Sequence, residues 1–179
     1  MDSLPAAAAA AAAGHSGRPD APSADSAGRF LALAEAAQDL LDEERVEELP
    51  PLAKRWQETA EEPVFPPEGL EFLVGLEVLE PDWREILKRA EAEKTAAVPE
   101  ELLERIGAYF VFRYLLKCVN DGDILSRARL CVFSLLAVER IAAVCGLGEA
   151  LQRFSREVEH SDENVETLLE ALALGELTL

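Results

Sequence analysis

The sequence predicts an all-α protein: a single helical bundle preceded by a disordered Ala/Gly/Pro-rich N-terminal tail. Three observations lead there. No segment sustains apolar–polar alternation with β-branched enrichment, and Ala, Leu, Glu and Arg dominate throughout. Apolar residues recur instead at spacings of three and four. Finally, Tyr109 to Ala143, YFVFRYLLKCVNDGDILSRARLCVFSLLAVERIAA, reads as two apolar helical runs hinged on Asp121-Gly122-Asp123. With 179 residues, 49% hydrophobic and 29% charged, one core is expected, in one domain over 26–179. No internal repeat of solenoid period is visible.

Residues 1–25 are Ala, Gly, Ser, Pro and Asp with few large apolar side chains, so burial does not offset the entropy of ordering them. From Ser26, the residues Phe30, Leu33, Ala34, Ala37, Leu40 and Leu41 share one helical face. Pro50 and Pro51 end that helix or start the next. Trp56 is expected to anchor a short helix over 52–61, and Pro63, Pro66 and Pro67 enforce an extended turn. Leu70, Leu73, Val74, Glu77 and Val78 then follow a helical pattern.

Glu80-Pro81-Asp82-Trp83 has the form of a helix start with Trp83, Ile86 and Leu87 inward, and Val98-Pro99-Glu100-Glu101 repeats the signal. The helix over about 99–119 is apolar around most of its circumference from Tyr109 onward, which predicts a place at the centre of the bundle. Gly122 is expected at positive φ, and Asp123 as the cap of a helix over 123–145 that ends at Gly146. A connection this short predicts an antiparallel central pair. In the next helix Leu151, Phe154 and Val158 form the apolar stripe, with Arg153, Arg156, Glu157 and His160 opposite. Ser161 caps the last helix, which buries Val165, Leu168, Leu169 and Leu172.

A formal charge of −18 opposes a nucleic-acid role, because phosphate binding needs a cationic surface. Arg113, Lys117, Glu139 and Arg140 interrupt the longest apolar runs, which opposes a membrane span. The alanine run Ala6–Ala13 follows Asp2 and not a basic segment, so a cytoplasmic protein is expected. Cys118, Cys131 and Cys145 lack the close pairing of metal ligands and are expected as small buried hydrophobes, with no metal site.

Candidate chemistry gathers in two stretches, Tyr109–Ala143 and Phe154–Asn164 (FSREVEHSDEN). Arg113 and Lys117 lie one turn apart, with Asn120 or Asp121 near the same line. That stripe could hold a carboxylate or phosphate, be a solvent face, or let Arg113 pair with an acid on a neighbouring helix. Arg127 and Arg129 sit at a helix start, where the dipole disfavours cations, so Asp121 and Asp123 are the expected partners. Glu157 and His160 have the spacing of an acid–base pair, but no nucleophile stands near. The other reading of His160 is structural, bonded to the Arg156 backbone or to the acids of the following cap.

These two stretches, with LEFLVGLEVLEPDWREIL before them, resemble the C-terminal region of the bacterial flagellin lysine-N-methylase family, over roughly Leu70 to Leu172. The resemblance implies methyl transfer to surface lysines of flagellin by a protein-lysine N-methyltransferase that uses S-adenosylmethionine. It also implies a cysteine-rich segment holding an iron–sulfur cluster, which has no counterpart here. The chain is therefore expected to be a C-terminal fragment, a split-gene partner or a relative with the helical domain alone. On that basis it is inactive unaided, binds neither cofactor itself, and has flagellin or a cysteine-rich catalytic protein as partner.

Tyr109, Arg113, Tyr114, Asp121, Asp123, Arg127, Ser155, Arg156, Glu157 and His160 match the family's motifs, which implies that they shape a substrate or cofactor pocket. If so, Arg127, Arg156 and Glu157 should converge. The alternative is a non-catalytic helical protein–protein interaction module, with mutually neutralising polar residues and an exposed apolar groove.

Overall fold

The computed structural model describes residues 24–52 and 60–179, and every element assigned within them is helical. Of the tail predicted over 1–25, residues 1–23 lie outside the described residues, as does most of the helix expected around Trp56, while Ala24 and Asp25 open α1 instead. Helix α1 (Ala24–Asp42) is followed by a 3-10 turn (Val46–Glu48) and a one-turn α2 (Leu49–Leu52) that contains both prolines. After the proline-rich connection come α3 (Gly69–Gly75) and α4 (Trp83–Ala92). The Leu70 pattern thus ends at Gly75, leaving Glu77 and Val78 in a connecting loop. Trp83, Ile86 and Leu87 are buried as expected.

The helix expected over 99–119 is shorter. Helix α5 (Glu100–Arg113) stops at Tyr114, and a 3-10 turn (Leu115–Lys117) leads into the one-turn α6 (Cys118–Asp121). Nor is it the centre of the bundle: Phe112 is 74% and Val119 84% exposed. The centre is α7 (Ile124–Cys145), which packs against α1, α4, α5, α8 (Leu147–Phe154) and α9 (Asp162–Leu174). An unbroken buried run from Leu130 to Leu135 reflects neighbours on all sides. Apolar residues all round a helix mark either burial or a surface left for a partner, and periodicity alone does not separate the two.

The turn into α7 follows its sequence closely. Gly122 has φ +74°, and the Asp123 carboxylate accepts from Ser126 N at 2.9 Å. Gln38 on α1 accepts from Ile124 N at 2.8 Å, so a distant side chain satisfies another free amide at that helix start. At the other end of α1 the backbone closes on a neighbouring segment: a Cβ at Gly28 would stand 2.0 Å from the Glu61 carbonyl oxygen. Gly146, at φ +81°, ends α7 and opens α8.

Between α8 and α9 the backbone makes a π turn over Ser155–Glu159, closed by His160 N donating to Ser155 O at 3.1 Å. The extra residue in this turn advances the side-chain register. Glu157, expected on the outer face, is instead 1% exposed, and Val158 and Glu159 are buried beside it.

Candidate functional site

Glu157 and Glu159 face different tasks on the two sides of Val158. The Glu157 carboxylate accepts from Leu79 N at 2.8 Å and from Glu80 N at 3.0 Å, tying the α3–α4 loop to the π turn. Asn164, 2% exposed in the first turn of α9, completes this clamp. Its Oδ1 accepts from Glu77 N at 3.0 Å, and its Nδ2 donates to Glu77 O at 2.9 Å and Glu157 O at 2.7 Å. Each oxygen of the Glu157 carboxylate receives one backbone amide, which makes it a structural acceptor, while the recorded contacts of His160 are to Ser155.

Glu159, 3% exposed, gathers the end of α5. The Tyr109 hydroxyl donates to its Oε1 at 2.8 Å. Arg113 Nε stands 3.6 Å from the same oxygen, and an Arg113 amino group donates to the Glu159 carbonyl at 2.9 Å. Arg113 thus pairs with an acid on a neighbouring element, one of the alternatives read from the sequence, and the break at Tyr114 ends the stripe expected to run on to Lys117. Burial, and then the Glu159 carboxylate, hold the Tyr109 phenol above its ordinary pKa, and burial does the same for Tyr114. Both phenols are therefore proton donors at neutral pH, not bases. The Tyr114 hydroxyl is buried without a hydrogen-bond partner among the described residues. Phe110 stacks on Tyr114 and meets Phe154 edge-on, each at 5.9 Å, which fixes α5 against α8 beneath the polar cluster.

Beside this cluster an open cleft of about 450 Å³ runs between α5 and α8. Its walls are Leu102, Ile106, Tyr109, Leu147 and Leu151, with Arg105, Gln152, Ser155 and Glu159 as polar lining. An apolar cleft with a few polar groups is the usual form of a binding site.

Tyr109, Arg113, Tyr114 and Ser155 therefore lie at or next to the cleft. Of the remaining predicted positions His160 reaches Ser155, whereas Asp121, Asp123 and Arg127 are engaged around the start of α7. Arg127 is bonded to Asp121, whose carboxyl it holds below the usual range, and Asp123 serves as a helix cap. Arg129, expected to pair with those aspartates, instead donates to the Leu172 carbonyl at the end of α9. Arg156 pairs with Glu80 at 2.7 Å, so it approaches the loop that Glu157 clamps, whereas the recorded partner of Arg127 is Asp121. His160 Nδ1 lies 2.7 Å from Ser155 O and 3.4 Å from Ser155 Oγ. The periodicity of a regular helix hid Glu159, and Asn164 had only its place three residues after the Ser161 cap to signal it.

The chain matches no known protein family, no curated protein and no solved structure. What it could hold must therefore be judged from its own residues. Cys131 is buried, with its thiol donating to Phe110 O and its pKa pushed up to about 12 by burial. Cys145 lies about 21 Å further along the same helix at ~1.5 Å per residue, and Cys118 sits in α6. Cys118 and Cys145 are half-buried, not fully buried as expected. Among the described residues no group of acids, histidines and cysteines is placed to hold a metal, so these residues do not fit an iron–sulfur cluster. No helix among the described residues is long and apolar enough to cross a membrane.

Proposed function

We propose that the chain is the helical positioning part of a protein lysine-methylation system of the flagellin lysine-N-methylase kind. It supplies one wall of a substrate or cofactor pocket, while a cysteine-rich partner carries out methyl transfer from S-adenosylmethionine. One observation carries this reading: the two stretches on which the resemblance rests meet at Glu159. Tyr109 and Arg113 come from YFVFRY, Glu159 from SREVEH, and the cleft opens beside them. A further support is the chemistry of the cluster, in which Tyr109 and Arg113 orient and fix the Glu159 carboxylate.

The test is incubation of the purified chain with flagellin and labelled S-adenosylmethionine, alone and with any cysteine-rich protein encoded beside it. The proposal expects label on flagellin only in the second mixture. No transfer in either mixture would remove the methylation reading. Transfer by the chain alone would show that it is catalytic in its own right.

A further inference from the structure

Helix α5 and the segment after it bury one face and leave the other bare. Phe110 and Tyr114 point into the core, whereas Tyr109, Phe112, Leu116 and Val119 are 45, 74, 53 and 84% exposed. Tyr109 also lines the apolar cleft between α5 and α8, and Phe112, Leu116 and Val119 follow it along the chain through the end of α5, the 3-10 turn and α6. Isolated exposed apolar residues need no explanation, but four within eleven residues, one of them in a cleft wall, are what an interaction surface offers.

The segment that carries this surface is locally cationic, between Glu101 and Glu104 on one side and Asp121 on the other. Residues 105–120 contain Arg105, Arg113 and Lys117 and no Asp or Glu, in a chain with 35 acids and a net charge of −18. The Arg105–Glu101 contact is a surface pair with both side chains more than 70% exposed, so it leaves Arg105 available to a partner. Lys117 is exposed. A second copy is a poor occupant. A two-fold interface would set this patch against itself, cation facing cation, between two bodies of strong like charge.

From this we infer that the outer face of α5 and the 3-10 turn and α6 beyond it dock an amphipathic helix whose apolar stripe is bordered by carboxylates. The partner's apolar residues cover Phe112, Leu116 and Val119, one anchor side chain enters the cleft beside Tyr109, and its acids meet Arg105 and Lys117. This surface stands independently of the methylation reading, since it rests on exposure and charge alone.

The experiment uses two labelled synthetic helices with the same leucine stripe, one bordered by glutamates and the other by lysines, and follows their binding to the full chain by fluorescence anisotropy. Overall charge favours the lysine peptide, so tighter binding of the glutamate peptide can come only from the local patch. We expect the glutamate peptide to bind at least about tenfold more tightly at low salt, a gap that narrows as salt rises. Phe112→Ser with Val119→Ser should weaken it by at least about tenfold with no fall in Tm. Equal binding of the two peptides, or none, overturns the inference. A wild-type dimer in sedimentation that the double substitution abolishes does so as well, because the occupant would then be a second copy.

Discussion

The Tyr109 hydroxyl donates to the Glu159 carboxylate at 2.8 Å, joining residues 50 apart in sequence at the edge of an apolar cleft. It holds together α5, whose helix the sequence marks as apolar around most of its circumference from Tyr109 onward, and a π turn that no periodicity foretells. Tyr114, stacked on the neighbouring Phe110, carries a hydroxyl with no bond among the described residues.

The two tyrosines should therefore respond differently to loss of the hydroxyl. Tyr109→Phe removes a bond to a charged acceptor and should cost about 1.5–3 kcal/mol, whereas Tyr114→Phe should cost under about 0.5 kcal/mol or stabilise. Urea denaturation of the two variants measures both. Equal costs would mean that Tyr114 shares the Glu159 carboxylate.

Glu157 gives a second contrast, since its role is to receive two loop amides. Glu157→Ala strands them and should destabilise by about 2–4 kcal/mol, with Glu157→Gln losing about half as much because one amide oxygen remains. Amide hydrogen exchange at Leu79 and Glu80 should accelerate in step. Unchanged protection at those two positions would separate the loop from the π turn.

At the hinge before α7 the effects are local. Gly122→Ala puts a side chain at φ +74° and should cost about 1 kcal/mol, and Asp123→Ala removes the cap of Ser126 N for about 1 kcal/mol more. Thermal melts read both, and a cost near zero for Gly122→Ala would mean that the turn has another geometry in solution.

Glu139 predicts a pH dependence. Burial alone raises its pKa, so the folded state disfavours its ionised form. A raised folded pKa contributes stability that is full below the unfolded value of about 4.3 and is lost as pH rises through the folded value. Glu139→Gln should therefore raise Tm at pH 7 by about 1–3 °C, and the gain should vanish below about pH 4. A gain that persists at pH 3.5 would point to packing and not to ionisation.

What was legible in the sequence follows from the range of the forces involved. Asp123, Gly122, Ser161 and Gly146 act within a few residues, and their roles could be read directly. The inward set Trp83, Ile86 and Leu87 was legible because α4 has water on one side and core on the other. Glu159 and Glu157 were not, because one added residue in the π turn rotates them inward against the 3.6-residue period. Nor was the order of α5 and α7 at the centre, since Phe112 and Phe133 look alike to a pattern and differ only in which one the fold covers.

The central claim is that the Glu159 cluster positions what a methylating partner acts on. Its most direct measurement is the rate of label transfer from S-adenosylmethionine to flagellin with the cysteine-rich partner present, comparing Glu159→Gln with the exposed control Glu166→Gln. The account predicts a loss of at least about tenfold for Glu159→Gln, with the variant still folded at the assay temperature and the control unchanged. A folded Glu159→Gln variant that supports transfer at the wild-type rate would contradict it.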